Sequence, residues 1–72
     1  MDIKLLMIDA LRKKYEAEIA DAYASALVYF NSSVGIGEHS DIIESIEKEL
    51  NIIAQYHDQL EVLEKYFKDT TI

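Results

Sequence analysis

The sequence predicts an all-α fold, an antiparallel two-helix hairpin that dimerises into a four-helix bundle. Two observations carry the hairpin. Apolar residues recur at helical spacing over residues 3–30 and again over 41–67, and a Gly- and Ser-containing segment from Asn31 to Ser40 lies between them. A third carries the dimer: 72 residues, or 8.3 kDa, form one domain that buries too little surface to stand comfortably alone. With no cysteine the chain has neither a disulfide nor a thiolate metal site to compensate. The expected layout is a single hairpin over 1–72, with a helix over about 3–31, a turn over 32–40 and a helix over about 41–68.

The first helix repeats Ile8, Leu11, Tyr15, Ile19, Ala22, Ala26 and Tyr29 at three- and four-residue steps. A second row, Ala20, Tyr23, Leu27 and Phe30, begins halfway along. Eleven of the fourteen residues from Ala17 to Phe30 are apolar, so this half expects contact on more than one side. Its alanines favour helix and allow a neighbouring backbone to come close. With no proline in the chain, nothing breaks the helix early.

Gly35 and Gly37 suit a helix exit or tight turn, since glycine adopts positive φ without steric cost. Val34 and Ile36 are expected to fold over the end of the bundle. Ser40 or Asp41 then caps the second helix, with Glu44 at capping-box spacing from Asp41. That helix repeats Ile43, Ile46, Leu50, Ile53, His57, Leu60, Leu63 or Glu64, and Phe67, close to a heptad seam, flanked by Ile42, Ile52, Tyr56, Val62 and Tyr66. Lys65 and Lys68 lie where the helix dipole favours cations, and the residues from Lys68 onward are expected to fray.

A turn centred near Gly35 sets the register. Ile8 should face Leu63, Leu11 should face Leu60, and Tyr15 should face Tyr56 or His57. Ile19 should face Ile53, Ala22 Leu50, and Ala26 Ile46. Small residues opposite large ones suit a close seam. A rod of this kind has no interior wide enough for a substrate.

Composition excludes several functions. Fourteen acidic residues against seven basic ones give a net charge of −7, and the one basic run, Arg12-Lys13-Lys14, is flanked by Asp9, Glu16 and Glu18. Nucleic acid is therefore not an expected partner, because phosphate recognition rests on clustered Lys and Arg. No stretch reaches the ~18 apolar residues of a membrane span, and the first residues lack the basic leader and cleavage site of a signal peptide. Membrane association is not expected, and the expected location is the cytoplasm.

Chemistry-bearing groups are sparse. Gly35-Ile36-Gly37 lacks the third glycine of a dinucleotide loop and the Lys-Ser/Thr pair of a phosphate loop. Glu38-His39-Ser40-Asp41 gathers three potential ligands without an established metal spacing, and is read as a polar helix entry. His57, beside Asp58 and one turn before Glu61, falls on the apolar stripe and is read as a neutral core histidine hydrogen-bonded to Tyr15 or Tyr56. No catalytic set, cofactor site or metal site is expected, and the chain is not expected to be an enzyme.

The segment Val34-Gly35-Ile36-Gly37-Glu38-His39-Ser40-Asp41-Ile42, with the acidic helix after it, resembles a segment of small proteins of tailed bacteriophages, notably the large contractile-tailed phages of marine cyanobacteria. The resemblance spans residues 28–67. It implies a phage-encoded protein made in the host cytoplasm. That group has no assigned activity, so no functional residues follow from it.

The expected function is that of a small acidic structural or interaction protein that self-associates, most simply as a homodimer. Tyr23, Leu27, Phe30, Ile52, Tyr56 and Tyr66 are the expected interface, being the apolar surface left over once one seam is used. The alternative is an adaptor or inhibitor that docks an apolar stripe on a host protein, including mimicry of DNA by carboxylates. Lys and Arg residues interrupt the acidic faces, which weighs against the mimic.

Overall fold

In the computed structural model, residues 2–32 and 39–68 are described, and they form two α-helices: α1, Ile3–Ser32, and α2, His39–Tyr66. Among the described residues there is no strand. The helices run antiparallel, since Arg12 near the start of α1 meets Glu64 near the end of α2, and Tyr15 stacks on Tyr56. The molecule is a rod of 55 × 18 × 15 Å. Gly35, Gly37 and the expected packing of Val34 and Ile36 lie outside the described residues, as do Ser33, Glu38 and the four residues after Lys68.

Asp2 starts α1. Its Oδ1 accepts the backbone N–H of Lys4 at 2.9 Å and its carbonyl accepts that of Leu6 at 3.1 Å. One amide left open by helix geometry, that of Lys4, is thereby satisfied, and the Asp2 carbonyl takes the first regular helical bond. Helix α2 begins at His39, two residues before the expected start, so Ser40 and Asp41 lie inside its first turn rather than capping it. Asp41 still places a carboxylate at the positive end of the dipole, and Lys65 occupies the last turn. At the far end the N–H of Phe67 reaches the carbonyl of Leu63 at 2.9 Å. Ser32 and Ser45 each donate their hydroxyl to the carbonyl four residues back, Val28 and Asp41 respectively, and so expose no unpaired oxygen.

The seam is built from small residues at one end. Ala22 and Ala26 are 3% and 4% exposed, among the most covered side chains of the hairpin, with Ile8 and Leu63 closing its other end. Between them lie Tyr15 and Ile19 from α1 and Ile53, Tyr56 and Leu60 from α2, with Tyr29 and Ile46 at the joined end, all half-buried. The Tyr15 and Tyr56 rings meet at 5.8 Å between centroids, tilted by 36°. Of the two partners the turn-centred register allows Tyr15, Tyr56 or His57, the structure has Tyr56.

In α1 the predicted stripe faces inward at every position but Leu11, whereas in α2 the row Ile43, Leu50 and His57 is displaced outward by one residue. In α1, Arg12 is half-buried while Leu11 is exposed. In α2, Ile42, Glu49 and Tyr56 face inward, while Ile43, Leu50 and His57 face out. Leu50, half exposed, therefore does not pack on Ala22 as predicted. Phe67, at the end of the predicted stripe, is also exposed and beyond the last helical residue. The reason is steric and electrostatic together. A long Arg stem covers apolar surface while its guanidinium reaches solvent and a partner, here Glu64. The planar Tyr15–Tyr56 pair fills the middle of the seam better than an imidazole does.

Candidate interaction surfaces

The two sides of the seam differ. One side is marked by a charged cluster at the open end of the hairpin, where both chain ends lie. The Arg12 Nε donates to Glu64 Oε1 at 2.7 Å, and its Nη1 reaches Asp9 Oδ1 at 3.4 Å. Lys13 Nζ sits 2.8 Å from Asp9 Oδ2. The Lys13 hydrogen bond holds the Asp9 carboxyl below the ordinary carboxylate value. Conversely, Glu64 raises Arg12 and Asp9 raises Lys13 above their usual values. These groups are solvent-facing, so the cluster ties the helices together with only modest strength.

Residues seven apart occupy the same helix face. The rows Asp9–Glu16–Tyr23–Phe30 on α1 and Ile43–Leu50–His57–Glu64 on α2 thus flank the seam on this charged side. The side changes character along its length. Towards the open end it carries Asp9, Arg12, Lys13, Glu16, His57, Glu61 and Glu64. Towards the joined end it carries Tyr23, Leu27, Phe30, Ile43 and Leu50, all exposed.

The opposite side holds a groove of about 560 Å³ at the open end, lined mainly by Ile3, Met7, Leu11, Val62 and Phe67, with Lys4 and Gln59 at its edge. It is open to solvent along its length, and so is a furrow between helices and not an interior cavity. Among the described residues, the groove and the cluster of Tyr23, Leu27, Phe30, Ile43 and Leu50 thus lie on opposite sides and at opposite ends.

The predicted interface residues fall on both. Tyr23, Leu27 and Phe30 come together on the charged side. Ile52 and Tyr66 share the heptad row of Gln59, on the groove side, and the Tyr66 ring lies 5.3 Å from the Lys65 ammonium. Tyr56 is engaged within the seam by Tyr15. Sequence reasoning missed Ile43 and Leu50, which were assigned to the seam. It also missed the groove residues Ile3, Met7 and Leu11. A seam one residue further round α2 would have released Ile43 and Leu50, whereas Ile3 and Met7 precede the predicted stripe and Leu11 is its one exposed member.

His57 is 63% exposed at its side chain, with Nε2 3.3 Å from Glu61 Oε2, an ion pair when the imidazole is protonated. The prediction of a core histidine bonded to a tyrosine is thereby corrected: the neighbouring Tyr56 takes the inward position. Among the described residues no three His, Cys, Asp or Glu side chains gather as a metal site demands. Likewise no helix is long and apolar enough to cross a membrane.

No family model matches this chain. Nor does any curated protein or solved structure.

Proposed function

We infer that this protein is a small, acidic, non-catalytic structural or interaction protein whose working form is a homodimer, two hairpins joined as a four-helix bundle. The observation that carries this reading is the imbalance of apolar surface. Thirteen large apolar side chains are exposed among the described residues, against four buried hydrophobic residues, two of which are alanines. The chain exposes 5656 Å². A compact monomer of 8.3 kDa exposes about 4,600 Å². The difference, about 1,000 Å² per chain, is of the size that a stable interface of about 800 Å² per partner removes. Light scattering over a micromolar concentration series tests it: a mass of two chains is expected, and a folded monomer throughout the series refutes it.

A second reading is favoured by the groove. Its five apolar residues from both helices suit anchor side chains of an amphipathic helix on another protein, and the charge of −7 favours a basic one. The phage resemblance would make that protein a host component. Pull-down with the wild type and with Met7→Lys separates the readings: a stoichiometric partner lost in the variant supports the adaptor, and recovery of the bait alone supports the structural protein.

A further inference from the structure

We propose that the second copy sits on the face carrying Tyr23, Leu27, Phe30, Ile43 and Leu50, side by side with the first, the joined ends of both hairpins at the same end of the dimer. This rests on the self-association proposed above and adds its face and direction.

The face follows from the two seven-residue rows. Both helices contribute exposed apolar side chains there, so a partner lying across them covers α1 and α2 at once. A groove, by contrast, admits side chains from one helix and leaves the other helix of a second hairpin outside it. The rows also continue as a flat track: Leu6, Lys13, Ala20 and Leu27 are spaced seven apart on α1, with exposed Leu6 at its open end.

Direction follows from the change of character along that face. An antiparallel partner in full overlap would lay Tyr23, Leu27 and Phe30 over Asp9, Arg12, Glu16 and Glu64. Those charges would lose water and gain no partner, which is costly. An antiparallel partner shifted to overlap only the joined ends spares the charges but covers five apolar side chains and little else. That leaves most of the roughly 1,000 Å² excess exposed, and Leu6 with it. Side by side in the same direction, apolar half meets apolar half, and the charged half, with Arg12 and Lys13 set among Asp9, Glu16, Glu61 and Glu64, meets a charged and hydrated half and not apolar side chains. The symmetry axis then runs along the rod, and each patch is its own complement.

The absence of cysteine makes the test clean. Ala10 and Ala24 are exposed, fourteen residues apart on one row of α1 that borders the proposed face without supplying any of its five apolar residues. Spin labels on Ala10→Cys and Ala24→Cys are separated along the helix by about 21 Å. Pulsed dipolar distances are measured in the 10–10, 24–24 and mixed 10–24 dimers. Same-direction packing gives equal, short 10–10 and 24–24 distances and a longer mixed distance. A mixed distance shorter than either, or a 10–10 distance far longer than 24–24, overturns the direction. The face is tested by Leu27→Lys and Leu50→Lys, each expected to raise the dimer dissociation constant roughly tenfold or more, with Met7→Lys unchanged. Dissociation by Met7→Lys alone overturns the face while leaving self-association intact. A wild-type monomer overturns self-association itself. Circular dichroism of each variant, showing retained helix, separates lost docking from lost folding.

Discussion

At the scale of single residues, alanine is the critical side chain of this hairpin. Ala22 and Ala26 are almost fully covered, so an added isobutyl group has nowhere to go. Ala26→Leu is expected to lose about 1–3 kcal/mol, the usual range for an overfilled core. Ala17, exposed on the same helix, makes a control: Ala17→Leu should leave the melting temperature nearly unchanged. Thermal melts of the two variants at one protein concentration compare them directly. The charged cluster gives a second residue-level expectation. Asp9 is held below its ordinary value chiefly by Lys13. A depressed carboxylate adds stability above its unfolded-state value and loses it as pH falls through the lower folded-state value. Asp9→Asn should therefore melt lower than wild type near neutral pH, with the gap closing in acid below the folded-state value. Added salt should narrow the gap too, because these charges face solvent.

At the scale of elements, the periodicity of both helices and the inward face of α1 were legible, and the rotation of α2 was not. Both helices lie where apolar spacing places them, and the Tyr15–Tyr56 pairing is one of the two that the centre of the turn allows. The rotation was hidden because adjacent rows are both apolar. In α2, Ile42 and Tyr56 compete with Ile43 and Leu50, and hydrophobicity does not rank the two rows. In α1 the single departure is Arg12 in place of Leu11, a type that pattern arguments send to water, although its stem is half-buried and its guanidinium binds Glu64. The misassignment carried into the candidate surface, because choosing the wrong inward row also chooses the wrong leftover row. The start of α1 is a separate device, legible as an acidic residue ahead of an apolar run. Asp2→Ala removes the acceptor for the Lys4 amide, and loss of such a cap costs about 1 kcal/mol. Urea titration of this variant should show a lower midpoint with an unchanged slope, since the buried surface is the same.

At the scale of the whole molecule, the governing quantity is the ratio of covered to uncovered apolar surface. A rod 55 Å long and about 15–18 Å across has little interior, and its stability is coupled to whatever covers its sides. The melting temperature of the wild type should rise with protein concentration, as it does when the folded state is the associated one. Leu27→Lys should weaken that dependence along with the dimer. A melting temperature flat across two decades of concentration would contradict the coupling.

The side chains that fill the seam also differ along its length. Near the joined end it is filled by the methyl groups of Ala22 and Ala26, and towards the open end by two stacked tyrosine rings and an arginine stem, beside which the groove opens. Backbones close together shut out solvent, and backbones held apart by rings admit it. Amide protons should therefore be replaced by deuterium in sequence along the rod: slowest on the turns around Ala22 and Ala26, faster beyond Tyr15 and Tyr56, and fastest in the turns around Leu5 and Val62. The hairpin would thus unzip from its open end, like a clasp whose tightest teeth lie nearest the hinge.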